Sequence, residues 1–495
     1  MPIMDEPTSL DPQIADSNSE KLVAANCYEG LVRIMADGTI GKGVATDWNI
    51  SDDGLTYTFK LRNNSHWAMF SGHKAVLGEN YEDTFDITVK AEDFKFGIER
   101  TLSEQTGSAD APLFSAVKSI STPDDFTIVF NLSYADDNFL YALTNPGAMP
   151  CDEEFFNLTN GKYGLDAKYL LCNGPFHVSK WTEKTSVKLA KNNEYNGESS
   201  VSPSSVTFYI NNDDSEVADK MNSVTYDVAF LSSSQSSSIE NKKDLNSVAV
   251  QNVTYSFIFN QNDNNYRNKN MRLAFCRSCD TSSLFDSQSD ISKADGIVPP
   301  SCKIGGEDYR NGNAAELLSY DETLAKKNFN DALLELGSSS VETTILCTEQ
   351  YEPFVKQMVQ KLQKTLGVKF VSTVKVVSES DLEAAVNDGN YSVAFYPFKA
   401  KSSFAGEIIE GFDQNNIFGY ESDVLSQKIR NIKNNSGSLE GERSAVADAE
   451  NYLVSEAVIM PVFYENSYFV TSKKTSGIYF YSSADNVCFI NAKKS

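Results

Sequence analysis

Residues 321–337 read DETLAKKNFNDALLELG, 341–347 VETTILC, 354–367 FVKQMVQKLQKTLG, 368–377 VKFVSTVKVV and 391–397 YSVAFYP. In the first stretch Asp321 is an N-cap, Leu324, Ala325, Phe329, Ala332, Leu333 and Leu336 fall on one helical stripe, and Gly337 ends the run. In the third, Phe354, Val355, Met358, Val359, Leu362 and Leu366 repeat at i, i+4 spacing until Gly367. The segments between are strands, and a short helix begins near Asp381. Helices alternating with strands predict an α/β lobe with substantially parallel strands. Two later helices, 422–432 and 440–457, lead into the strand IMPVFY at 459–464.

Toward the N-terminus the texture is β-rich. Leu55, Tyr57, Phe59 and Leu61 alternate with polar residues behind the turn Asp52-Asp53-Gly54, and Phe126–Leu132 follows the turn Pro123-Asp124-Asp125. Between them, Ala91–Leu102 reads as a helix. From Ser205 come the strands SVTFYI and YDVAFL, then a serine run at 232–238 that predicts a solvated loop, because serine buries little apolar surface. The strong strand VTYSFIFN at 253–260 opens a new lobe.

Bulk properties narrow the function. A chain of 495 residues exceeds what one core serves, and its 41% apolar content is enough for several. The 43 Lys and Arg against 68 Asp and Glu leave a net charge of −25, which repels nucleic acid and anionic lipid. The longest apolar run, Ala457–Tyr464, contains Pro461 and is far short of the roughly 20 residues that span a bilayer. Met1–Leu10 is acidic and lacks the basic-then-apolar pattern of a secretory leader, which leaves an intracellular protein or one whose leader is gone.

Residue types that carry chemistry are sparse. No G-x-S-x-G or H-E-x-x-H is present, and the pairs Gly41-Lys42 and Gly161-Lys162 lack the rest of a phosphate loop. His66, His73 and His177 are ungrouped, so the close cysteine pair Cys276 and Cys279 has no partners for a zinc site; buried structural thiols, and no cofactor, are expected. The neighbours Glu153-Glu154 and Asp213-Asp214 read as solvated faces. No reaction is legible. Aromatic residues are plentiful, with 23 Tyr, 30 Phe and 3 Trp to fill cores and line a large cleft.

Several short motifs occur in a fixed order: E-P-T-S-L-D-P (Glu6–Pro12), Y-E-G-L-V (Tyr28–Val32), D-G-T-I-G-K-G-V-A-T-D-W (Asp37–Trp48) and G-L-T-Y-T-F-K-L-R (Gly54–Arg62). V-K-A-E-D-F-K-F (Val89–Phe96), N-G-P-F-H-V-S-K-W (Asn173–Trp181), Phe259-Asn260, N-M-R-L-A-F (Asn270–Phe275), V-P-P (Val298–Pro300) and A-V-I-M-P-V-F-Y (Ala457–Tyr464) follow. In this order they resemble the large solute-binding proteins of ABC importers typified by the oligopeptide- and dipeptide-binding proteins (family 5, cluster C).

The resemblance implies an α/β, two-lobed periplasmic-binding-protein-like fold of type II with an additional β-rich domain. Domain I would comprise 1–35, 154–250 and 466–495, the β-rich domain II 36–153, and the α/β domain III 251–465. It further implies a non-enzymatic monomer outside the cytoplasm, a cell-surface lipoprotein or periplasmic protein whose leader is absent here. Such a protein captures a peptide or other small solute in a closing cleft and delivers it to permease subunits in the membrane. Family motifs point to Tyr28, Glu29, Asn260, Tyr396, Phe398, Lys399 and Lys401 as ligand-binding residues.

One segment departs from the pattern. Peptide-binding members resemble one another in a W-x-A-D-Y segment whose Asp pairs with the peptide α-amino group, whereas Tyr396–Phe404 reads Y-P-F-K-A-K-S-S-F. Another acid, such as Glu29 or Glu407, would then hold the amine, or the ligand presents an acidic group to Lys399 and Lys401, or these lysines are exposed loop charges. An oligosaccharide or acidic metabolite is the alternative cargo. A hydrolase using a cleft carboxylate is the reading from another class.

Overall fold

The computed structural model describes all residues except 36–38, 137–138, 198–199, 240–241, 282–284, 286–290, 400–403, 414–415, 436–437 and 482–485. The chain forms two compact units. Unit 1 is Met1–Val248 with Tyr468–Ser495, and unit 2 is Ala249–Ser467.

Unit 1 holds two four-stranded sheets. One has Ala45–Ile50, Thr56–Leu61, Thr127–Leu132 and Val117–Asp124 in that order, each antiparallel to its neighbour. Its alternation buries Tyr57, Phe59, Ile128 and Phe130, and the helix Ala91–Leu102 contributes Phe94 and Ile98, all essentially inaccessible. The other sheet runs Pro2–Ile3, Ser205–Ile210, Ser186–Lys191, Phe176–Thr182. The N-terminal motif is fixed by polar contacts: Glu6 accepts from the Trp181 indole at 2.8 Å, and Asp11 pairs with Arg100 at 2.5 Å. Glu20 collects donors from Thr8, Ser9, Asp16 and Ser17, and these outweigh the effect of burial to hold its carboxyl below the usual range.

The serine run departs from its expected loop. Ser233–Ser238 is a helix opened by a capping box, in which Ser232 and Gln235 satisfy each other's backbone N–H. Gln235 also donates to Asp214 at 2.9 Å, which ties this turn to the helix Asp214–Asn222. Hydrogen bonding supplies what serine side chains cannot supply by burial.

Unit 1 also buries an imidazole. His73 is fully enclosed between Phe70 and Phe155, and its Nε2 donates to the Leu170 carbonyl at 3.1 Å. Burial lowers its pKa from 6.5 to about 4, and burial also lowers His177. The folded state therefore stays neutral where the unfolded chain takes up a proton. Stability is complete above pH 6.5 and falls as the pH drops toward 4, by about 3 kcal/mol for His73 alone. In urea titrations from pH 7 to 4, His73→Gln should lose less stability over that interval than the wild type. Equal losses would contradict this reading.

The longer elements of unit 2 are β1 (Leu245–Phe259), α1 (Lys269–Arg277), α2 (Glu322–Leu336), β2 (Val341–Cys347), α3 (Glu352–Leu366), β3 (Phe370–Val376), α4 (Glu379–Asn387), β4 (Val393–Lys399), α5 (Asp423–Asn434), α6 (Leu439–Ser455) and β5 (Ile459–Ser472). The chain enters the unit along β1 and leaves it along β5. Within unit 2 the strands of the sheet neighbour one another in the order β5-β1-β4-β2-β3, with Ile291–Lys293 also pairing antiparallel to β5; β2 is parallel to both β3 and β4, and β1 is antiparallel to β4.

The expected caps are present. Asp321 accepts from the Leu324 N–H at 2.9 Å, and Gly337 ends α2 in the left-handed region, where a side chain would be strained. Strand alternation splits the core into two layers. Phe257, Phe259, Phe395 and Ile345 face α1, α2 and α3, whereas Ile258, Ala394 and Leu346 face α4, α5 and α6. Cys276 and Cys279 lie in the first layer, where Cys279 Sγ contacts Met358 Sδ at 3.1 Å.

Candidate ligand-binding site

Parallel α/β sheets present ligand sites beyond the carboxyl ends of their strands. In unit 2 that end carries Cys347 of β2, Val376 of β3 and Lys399 of β4, with Val253 of the antiparallel β1 opposite Lys399. On β4 the alternation sends Tyr396 and Phe398 to one face and Phe395 and Lys399 to the other.

Tyr396 is half-buried, and burial, followed by the charge of Glu383, raises its hydroxyl pKa. Its ring meets Phe398 edge-on at 5.7 Å, and Phe398 stacks on Phe412 and Phe418, each at 5.8 Å. Phe398 is thus one wall of an aromatic stack that remains partly open. Lys399 is exposed. Lys401 lies outside the described residues, as do Asp37 and Gly38 of the third motif.

Asn260 stands at the other end of the sheet. Phe259 pairs with Val393 while Val253 pairs with Lys399, so six residues of strand, about 20 Å, separate Asn260 from the Lys399 end. Its amide donates to the carbonyls of Gly389 and Tyr391, both at 2.8 Å, and its oxygen accepts from the Asn262 N–H at 3.0 Å. This side chain fastens the turn after β1 to the turn before β4.

Tyr28 and Glu29 belong to unit 1. The Tyr28 hydroxyl lies 3.3 Å from that of Tyr163, and burial first of all pushes its pKa up. The Glu29 carboxylate is ion-paired with Arg62 and accepts from the Tyr195 hydroxyl at 3.1 Å, while Asn173 brackets its backbone at 3.0 and 2.8 Å. A buried carboxylate already neutralised by a guanidinium is a poor receptor for a second cation. Glu407, the other acid considered, is half-buried in the first turn of the helix Ala405–Glu410.

A group that the sequence reading passed over lies at the Lys399 end. Glu465 of β5 shares the alternation of the fully buried Phe463. Its carboxylate accepts from the Tyr351 hydroxyl at 2.6 Å, and Gln350 donates to that hydroxyl at 3.1 Å. Tyr255 closes the group, its ring 4.4 Å from Tyr351 and 5.1 Å from Phe463. Burial raises the pKa of Glu465; the charge of Glu379 acts in the same direction, and Tyr351 and Lys399 oppose it. The available signal was an acidic residue at an inward position of an otherwise apolar strand, PVFYE.

Further polar groups continue along β1 and β5: Gln251 donates to Ser292 at 2.6 Å and to Asn466 at 2.7 Å. A separate cavity of about 300 Å³ is lined by Thr344, Leu346, Lys375, Asn390, Tyr391 and Ser392, none of them expected from sequence. Among the described residues, no three His, Cys, Asp or Glu side chains are arranged to hold a metal ion, and no helix is long and apolar enough to cross a membrane.

The dipeptide-binding protein DppE of Bacillus subtilis (strain 168) is 24% identical over 496 residues, covering 96% of this chain and 88% of the relative. Among solved structures, OppA of Listeria monocytogenes bound to peptide matches with a TM-score of 0.77 at 21% identity, covering 100% of this chain and 98% of that one. The dipeptide-binding protein of Pseudoalteromonas sp. SM9913 in complex with Met-Leu matches with a TM-score of 0.79 at 18% identity, over 100% and 99%. These likenesses show the α/β type II binding-protein fold expected from the sequence. The profile described as bacterial extracellular solute-binding proteins, family 5 Middle, matches residues 39–418, well over half of the chain. By that match the chain belongs to the bacterial extracellular solute-binding proteins of family 5, as a binding protein and not an enzyme.

Proposed function

We propose that this protein captures short peptides outside the cytoplasmic membrane, as a monomer, and delivers them to the permease of an ABC importer. The observation that carries the reading is the match along 96% of the chain to a dipeptide-binding protein. The geometry of unit 2 supports it. At the carboxyl end of the sheet Tyr255 and Tyr351 lie on one face, with hydrogen-bonding groups at Gln350 and Gln251, and Tyr396 and Phe398 lie on the other. Peptide capture needs these two elements, polar groups for the repeating backbone and tolerant apolar walls for varied side chains. We also propose that unit 1 contains the separate β-rich domain at 36–153 and that the protein works as a surface lipoprotein or in the periplasm.

The test is thermal unfolding with and without peptides of two to eight residues. A ligand at about a thousandfold over its dissociation constant stabilises the protein by about 4 kcal/mol, which moves the unfolding midpoint upward by several degrees. No displacement with any length class would refute the proposal.

A further inference from the structure

We propose that Glu465 receives an ammonium group of the captured solute, with the rings of Tyr255 and Tyr351 as its walls; this deepens the peptide-capture reading and rests on it.

Position is the first argument. Glu465 lies with Tyr351, which follows β2, and within reach of the charges of Lys399 at the end of β4 and Glu379 at the start of α4. These residues mark the carboxyl ends of the parallel strands, where the fold opens to ligands.

Electrostatic need is the second. A mostly buried carboxylate loses hydration that its neutral donors Tyr351 and Gln350 restore only in part. The Tyr351 hydroxyl is neutral, since burial pushes its own pKa up. Lys399 is the cation whose charge acts on Glu465, but it is exposed, so much of its attraction is spent on water.

Shape is the third. Tyr255 and Tyr351, packed on each other at 4.4 Å and on Phe395 and Phe463, border the carboxylate with aromatic rings, an apolar setting in which a charged partner is poorly screened by water. The carboxylate accepts from the Tyr351 hydroxyl and still has lone pairs on which a compact ammonium can sit.

An ammonium can come from a peptide's terminus or from a lysine side chain, and the experiment separates the two sources. The protein is equilibrated with an equimolar mixture of lysine-free tri- to hexapeptides, free and N-acetylated, plus N-acetylated peptides carrying one lysine. The retained peptides are then quantified by mass spectrometry. Wild type should retain free-amine peptides about tenfold or more over their acetylated, lysine-free counterparts. Recovery of the acetylated peptides by one lysine would support the same site with a side-chain source.

Glu465→Gln still accepts the Tyr351 hydroxyl and should retain free and acetylated forms equally, within about twofold. Lys399→Met removes the competing cation and should keep or sharpen the preference. The inference is overturned if wild type does not discriminate, if Glu465→Gln still does, or if Lys399→Met loses discrimination as Glu465→Gln does, which would mark a structural ion pair. Wild type retaining no peptide would overturn the capture reading itself, an outcome distinct from peptide bound without preference.

Discussion

Arg310→Met lowers the stability of unit 2 toward urea by about 3–5 kcal/mol, because it strands a buried carboxylate. Glu450 is 1% exposed and Arg310 8%, measured on their side chains. The Arg310 guanidinium makes a two-pronged contact with Glu450, one arm at 2.9 Å, and its Nε donates to the Val298 carbonyl at 2.7 Å. Glu450 also accepts from the backbone N–H groups of Ile297 and Val298 at 2.7 and 2.9 Å and from the Tyr309 hydroxyl at 3.1 Å. The pair thus pins the 296–310 segment to α6, and Gly296 lets the backbone approach it closely: a Cβ there would press on the Arg310 guanidinium and the Glu450 carboxylate. The double variant Arg310→Met/Glu450→Gln should recover part of the loss, since Gln still accepts the backbone donors without a charge to neutralise. A loss below about 1 kcal/mol for Arg310→Met would show that the pair is solvated and not a clamp.

The helices and strands between 321 and 399 were legible because their signals are local. A cap, an apolar stripe and a terminating glycine fix a helix without reference to the rest of the chain, and Asp321, Phe329 and Gly337 stand where that logic puts them. The helix at 233–238 carried a local signal too, the S-x-x-Q of Ser232 and Gln235, but serine composition spoke against it. The site was less legible. Tyr396 and Phe398 come together because they alternate onto one face of a single strand, while Lys399 falls on the other face and Asn260 is carried about 20 Å away by the antiparallel pairing of β1 with β4. No sequence spacing reveals that register. Glu465 meets Tyr351 across 114 residues of chain, so its role depends on sheet order, which only the folded structure supplies.

The second large effect separates two aromatic neighbours on β4. Phe395 is 1% exposed and its ring centroid lies within 6 Å of five others: Phe257 at 4.9, Tyr255 at 5.5, Phe463 at 5.5, Tyr351 at 5.8 and Phe354 at 5.8 Å. Phe395→Ala removes a fully enclosed ring and leaves a cavity among them, at a cost of about 3–5 kcal/mol in urea unfolding. Phe398 is only half-buried, so Phe398→Ala gives up less transfer energy and leaves a gap that water can enter; about half that cost is expected. The two should also differ in how they affect capture. Tyr255 and Tyr351, the walls beside Glu465, rest directly on Phe395, so its removal loosens the site together with the core. Phe398 stacks on Phe412 and Phe418 on the opposite face, and its loss should weaken peptide retention only through its own contact with the ligand. Phe395→Leu, which refills much of the cavity, should restore most of the stability. If Phe398→Ala costs as much as Phe395→Ala, the aromatic stack around Phe398 is core and not a binding wall.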